Sequence, residues 1–210
     1  GETYSYRLCN RKNGAHSEVF NFTTAKQGEG VKFLFVGDPQ IGAGESVQQD
    51  GEAWKRTLEV GKHILPNAEF LISAGDQSDS SKTDIAIEEY YEFRSPDELK
   101  NIPVAVNKGN HDTVKEIYEE QFAPPGVWDD ANYYFARDGV LFFALNSNSG
   151  SYATQIEYLK KAIQNTNPEW IIVTMHYSMF SAGPHSDEEK ILNLRKVYNE
   201  AFSELDVDLV

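Results

Sequence analysis

Four short polar clusters each close an apolar run of the sequence: Gly37-Asp38-Pro39-Gln40, Gly75-Asp76-Gln77-Ser78-Asp79, Lys108-Gly109-Asn110-His111-Asp112 and Thr174-Met175-His176. Two aspartates, an asparagine and a histidine form a mixed oxygen and nitrogen donor set. Such a set suits manganese, iron or zinc rather than a soft thiolate metal. Buried together, the aspartates would repel each other, and cations between them remove that cost. One carboxylate can bridge two ions about 3.5–4 Å apart, the spacing used in two-metal phosphoester hydrolysis. Asp76 is the candidate bridge. In three of the clusters a glycine precedes the polar residue, which permits a sharp turn and close backbone approach.

These residues meet only if strands deliver them to one edge, and the surrounding pattern supplies the strands. Runs at 31–36 (VKFLFV), 69–74 (EFLISA), 102–106 (IPVAV) and 170–175 have strand length and apolarity. Helical patterns fall at 51–65, ending before Pro66, and at 82–99, 114–122, 152–165 and 187–205. Residues 132–137 and 140–145 flank Asp138-Gly139, a dipeptide that supplies the positive φ of a two-residue hairpin turn. Alternation of this kind predicts helices packed on a largely parallel sheet. In open α/β sheets, ligands bind just outside the carboxyl ends of the strands.

Ahead of this pattern, 1–8 and 18–23 alternate on either side of a turn-rich 10–14, which reads as a hairpin. A lone hairpin is marginal in water, so it is expected to be the tail of a β-sandwich, joined by the polar linker 25–30 (AKQGEG). The expected division is 1–27 for the hairpin and 28–210 for the α/β domain. Both ends read as cut, with 206–210 a strand just beginning.

Composition excludes several classes. The 210 residues are 40% hydrophobic and 25% charged, ordinary for a globular chain. No window approaches the roughly 18 consecutive apolar residues of a membrane span, and no signal-peptide pattern is visible. Lys and Arg total 19 against 33 Asp and Glu, a formal charge of −14, which argues against general nucleic-acid binding. Cys9 is the single cysteine, so neither an internal disulfide framework nor a cysteine-based zinc cluster can form.

The order GD…GD…GNHD…H resembles the calcineurin-like metallophosphoesterase superfamily. The preceding hairpin makes the chain similar to its purple acid phosphatase-type branch, which carries a fibronectin-like β-sandwich before the catalytic domain. The resemblance implies a four-layer α/β/β/α sandwich with two sheets flanked by helices. It implies that Asp38 and Asp76 bind a first metal ion and that Asp76, Asn110 and His176 bind a second, the pair drawn from iron, manganese and zinc. His111 would stand beside the metals as proton donor or phosphate binder. Asp112 would orient His111, as a carboxylate fixes an imidazole tautomer. His185, in the loop after His176, would contact substrate together with Asn110, or be a plain surface histidine; Tyr177 would line the same pocket. The activity implied is hydrolysis of a small phosphoester, nucleotides among them, by a metal-activated water. The alternatives are a phosphodiesterase or nucleotidase of the same superfamily, or a non-catalytic cell-surface binding module that keeps the fold. The location implied is extracellular or at the cell surface, in a bacterium.

Three departures from the family pattern bear on that expectation. A histidine often stands two residues after the first aspartate; here it is Gln40, either a weaker amide ligand or only a hydrogen-bonding neighbour. The purple enzymes place tyrosine three residues after the second aspartate; here Asp79 reads as an exposed turn or cap residue. Without tyrosinate, no charge-transfer colour and no strong preference for ferric iron are expected. The closing Gly-His-X-His motif is absent up to Val210, so the resemblance implies a fragment whose metal site is incomplete without histidines that follow. His16 and His63 read as ordinary surface residues.

Overall fold

The computed structural model describes residues 1–124, 126–128 and 131–210. β1 (Thr3–Tyr6) and β2 (Phe20–Thr23) pair antiparallel as the expected hairpin. β3 (Phe33–Val36), α1 (Val47–Ile64), β4 (Phe70–Ser73), α2 (Thr83–Arg94) and β5 (Val104–Val106) follow, and the three strands form a parallel sheet in the order β3-β4-β5. α3 (Lys115–Gln121) leads to β6 (Tyr133–Arg137), β7 (Val140–Leu145), α4 (Tyr152–Thr166), β8 (Trp170–Met175) and α5 (Glu189–Glu204). The second sheet is ordered β6-β7-β8, antiparallel at its hairpin and parallel beyond it. The strands thus divide between two sheets rather than filling one. Asp138, at φ 52°, and Gly139, at φ 80°, turn the chain back on itself and begin the second sheet.

The pleat assigns the layers. Leu71 of β4 packs with Trp54 and Leu58 of α1 and Phe93 of α2. Its neighbours Phe70 and Ile72 point the other way, onto Phe142 of β7, with Phe33, Phe135 and Ile172 around them. On β7 the alternation repeats: Leu141, Phe143 and Leu145 face Leu159 and Ala162 of α4 and Leu194, Tyr198 and Phe202 of α5. The order helix, sheet, sheet, helix is the expected four-layer sandwich. Phe142 makes edge-on contacts with Phe33 and Phe70, centroids 5.3 and 5.2 Å away.

Two helix boundaries differ from the sequence pattern by more than two residues, for local reasons. α1 begins at Val47 rather than 51 because the Ser46 hydroxyl accepts the Gln49 N–H and caps it. α2 stops at Arg94 because Pro96 has no N–H to continue the ladder, and a short 3-10 turn, Asp97–Lys100, follows.

The hairpin is tied to the α/β domain at both ends. The Tyr6 hydroxyl donates to the Lys100 carbonyl at 2.8 Å. In the linker, Asp138 accepts the Gly28 and Gly30 N–H groups, and the Arg137 guanidinium reaches the Lys26 carbonyl at 2.6 Å and Glu69 at 2.8 Å. Leu209 makes a parallel bridge to Ile172 at the edge of β8. No helix among the described residues is long and apolar enough to cross a membrane, and Cys9 is exposed.

Candidate metal centre

All four polar clusters reach the same edge: Asp38 and Gln40 beyond β3, Asp76 beyond β4, Asn110 and His111 beyond β5, and His176 beyond β8. The turns are tight. Asp38, Gln40 and Asp76 all sit in the left-handed region, at φ 43°, 41° and 49°, which costs a non-glycine residue on the order of 1–2 kcal/mol. Backbone bonds hold the first two loops together: Gln40 N–H donates to the Asp76 carbonyl at 2.8 Å, and Asp79 N–H to the Ile41 carbonyl at 3.1 Å.

Two of the three motif glycines are needed for close approach. A Cβ on Gly75, itself at φ 111°, would stand 2.6 Å from His176 Nδ1 and 2.9 Å from Gly109 Cα. A Cβ on Gly109 would meet the Asp76 carboxylate and backbone. Gly37 differs from the expectation: it has open space around it and an ordinary φ, because Asp38 itself takes the sharp conformation.

One ligand atom from each of Asp38, Asp76 and His176 lies within 4.8 Å of the others. His176 Nδ1 is 3.1 Å from the Ala74 carbonyl, which satisfies a hydrogen on that nitrogen and turns Nε2 toward the strand-end donors. Nε2 lies 3.0 Å from Asn110 Oδ1 and 3.4 Å from Asp76 Oδ2. Oxygen and nitrogen lone pairs converging in this way need a positive charge among them, either a proton or a metal ion. Although burial works against its charge, Asp76 and Asp38 raise the His176 pKa above the ordinary imidazole value. Burial in turn pushes the Asp76 carboxyl up, but His176 and the His111 N–H outweigh it and leave it lowered. The donor set, hard oxygens with one imidazole held from behind by a carbonyl, fits a manganese, iron or zinc ion.

The remaining predicted residues divide. His111 donates its backbone N–H to Asp76 Oδ1 at 2.8 Å and places Nδ1 2.7 Å from the Asp79 carbonyl and 3.4 Å from the Asp79 carboxylate. The expectation that Asp112 orients the His111 ring is therefore corrected: Asp79 has that position. Asp112 is fully buried and accepts from the N–H groups of Gln77 and Gly109, at 3.2 and 2.8 Å, and from the Tyr90 hydroxyl at 2.7 Å. It braces the turn between the second and third clusters. Gln40 lines the cleft, and its amide donates to Asp79 Oδ1 at 3.0 Å, which favours the hydrogen-bonding neighbour over the ligand. Asp79, read from the sequence as an exposed turn residue, is part-buried and joins both departures from the family pattern.

These groups line a cleft of about 570 Å³ whose opposite wall is the segment 177–191. His185 belongs to that wall, largely exposed and 2.5 Å from Glu188. Lys190 stands 4.4 Å over the Tyr177 ring and 3.4 Å from Glu188. Glu188 and Lys190 escape sequence reasoning because they open a helix in an ordinary charged pattern. A more apolar cavity of about 620 Å³ lies between β5 and β6, and none of the strand-end donors lines it.

Comparison with known proteins gives a family and structural neighbours. A family profile described as calcineurin-like phosphoesterase matches residues 31–210. The structure superposes on a purple acid phosphatase from yellow lupin (Lupinus luteus) seeds with a TM-score of 0.74 at 16% identity, covering 98% of this chain and 42% of that one. The chain thus spans less than half the length of that structure. A conserved uncharacterized protein from Streptococcus pneumoniae TIGR4, a predicted phosphoesterase, aligns at 10% identity over 67% of this chain and 59% of its own. Its TM-score of 0.32 is too low to inform the fold. No curated protein sequence matches the chain.

Proposed function

The chain belongs to the calcineurin-like phosphoesterase family, and on that premise we propose that it hydrolyses a small phosphoester with a water activated at a two-metal centre. The observation that carries the reading is the convergence of Asp38, Asp76 and His176, with Asn110 against His176, in a cleft of small-substrate size. Asp38, Asp76, Asn110 and His176 would hold the ions, with Asp76 as the shared carboxylate. Two such ions, drawn from iron, manganese and zinc, supply when bound a water of near-neutral pKa and a clamp on the phosphoryl oxygens.

The chain's own groups position and move protons. The Ala74 carbonyl fixes the His176 ring so that Nε2 is the donor nitrogen. The Asp79 carbonyl does the same for His111 and is the main reason its pKa lies above the ordinary value. A protonated His111 carries its second N–H on Nε2, and can give that proton to the leaving alkoxide or a hydrogen bond to a phosphoryl oxygen. His185 and Tyr177 stand on the wall that would face the leaving group. The substrate is a phosphomonoester or diester, and nucleotides fit the class. We read residues 1–27 as the end of a fibronectin-like sandwich and the protein as exported or held at the cell surface, both supported by the sequence resemblance.

The test is turnover by the full-length protein. With p-nitrophenyl phosphate and bis-p-nitrophenyl phosphate, activity should vanish with chelator, return with manganese, zinc or iron, and fall steeply in His111→Ala. The better ester names the branch. No turnover with any metal, together with fewer than two bound ions per chain, overturns the reading in favour of a binding module.

A further inference from the structure

We propose that Glu89 of α2 is a positioning residue for His111, acting through the peptide that joins Asp79 to Ser80. The mechanistic use of His111 rests on the hydrolase reading; the positioning itself does not.

Glu89 is 1% exposed, and charged side chains are almost never so buried unless paired. Among the described residues it has no ion pair with Lys, Arg or His. Its Oε2 instead accepts two consecutive backbone N–H groups, Asp79 at 3.0 Å and Ser80 at 2.8 Å. The carboxylate is wedged against the loop after β3: a Cβ on Gly42, at φ 106°, would stand 2.1 Å from Oε1.

The Ser80 N–H and the Asp79 carbonyl belong to one peptide unit. That unit is planar and trans, so its N–H and C=O point in opposite directions. With the N–H drawn to Glu89, the carbonyl faces the other way, where His111 Nδ1 lies at 2.7 Å. A carboxylate on the N–H also polarises the peptide and makes its oxygen a stronger acceptor. A carbonyl can only accept, so Nδ1 carries the hydrogen and Nε2 is left free. Glu89 thereby favours Nδ1–H on His111 without touching the ring, the nearer of that nitrogen's two acceptors being the Asp79 carbonyl at 2.7 Å and the farther the Asp79 carboxylate at 3.4 Å. Its neighbour Tyr90 serves the other side of the turn through Asp112.

Nitrogen-15 spectra of the histidine rings in the metal-free, full-length protein test this without any turnover. At about pH 9, where a histidine ring is neutral, His111 should show hydrogen on Nδ1 in the wild type. In Glu89→Ala it should become a mixture of both tautomers. His176, whose Nδ1 faces the Ala74 carbonyl and which Glu89 does not touch, should give the same spectrum in wild type and variants and serves as the internal control. Glu89→Gln retains one neutral acceptor and should give an intermediate spectrum, with the Ser80 amide proton shifted toward weaker hydrogen bonding. If Glu89→Ala folds and His111 keeps Nδ1–H alone, the proposal is wrong. If Glu89→Ala does not fold, an unchanged His111 and Ser80 signal in Glu89→Gln overturns it equally. Failure of the hydrolase reading would leave these spectra unaffected.

Discussion

Gly109 and Asp76 are in backbone contact: a Cβ added to Gly109 would lie 2.0 Å from Asp76 Oδ1 and 2.2 Å from the Asp76 nitrogen. The second of these atoms cannot swing aside, so the third strand end approaches the second only because residue 109 has no side chain. The carboxylate it would strike is the one shared by His111 N–H and His176.

Gly109→Ala should therefore cost at least about 2 kcal/mol, in the range of overpacked cores, and abolish metal binding. Gly37→Ala, with open space and an ordinary φ, should stay within about 0.5 kcal/mol of wild type. Urea unfolding of both variants checks this, and equal effects would contradict the geometry.

Metal affinity should depend on residues from separate strands. Asp76→Asn keeps the shape but removes the charge, and should weaken manganese or zinc binding by at least about tenfold to a hundredfold, the loss that even an indirect partner of a ligand produces. Calorimetric titration of the chelator-treated protein measures it. Asp112→Asn should instead act mainly on stability, because Asp112 faces backbone N–H groups and Tyr90.

Tyr90→Phe removes one donor to the buried Asp112 carboxylate. A hydrogen bond to a charged group is worth about 1.5–3 kcal/mol, and the variant should lose a comparable amount in chemical unfolding. The shape of the ring is preserved, so its edge-on packing with Phe122, centroids 5.6 Å apart, should remain.

The linker gives a pH dependence. The Gly28 and Gly30 N–H groups, with Arg137 beside them, hold the Asp138 carboxyl below the ordinary aspartate value. A lowered folded-state pKa stabilises the protein fully above the unfolded value of about 3.9 and loses that contribution as pH falls through the folded value. Relative to Asp138→Asn, the wild type should be more stable by a constant margin at neutral pH, and the margin should shrink below about pH 4. Urea midpoints across that range report it; a margin independent of pH would contradict the assignment.

What the sequence discloses is the part governed by period and by local turn chemistry. Apolar runs located every strand of the two main sheets, and Asp138-Gly139 located the β6–β7 turn without any tertiary knowledge. The four strand-end clusters named the donors that the fold brings together. The roles of neighbours were harder to read. The family resemblance assigns Asp112 to orient the adjacent His111, yet the Asp112 side chain points into the core. Asp79, thirty-two residues from His111, is the actual neighbour of its ring. Glu89 lies in a helix among other acids, and nothing local distinguishes it from its exposed neighbour Glu88. Such relations arise from how loops cross, which hydrophobic periodicity does not encode.

Asp38, Asp76 and Asn110 come from the first sheet and its loops, whereas His176 comes from the second. An ion gripped by all four would also rivet the two halves of the sandwich along one rim. Its binding energy would then count toward folding: at a hundred times the dissociation constant, mass action contributes about 2.7 kcal/mol. Melting temperature should consequently climb with metal concentration. The rim, loosened first when the ion is withdrawn, would be where unfolding begins.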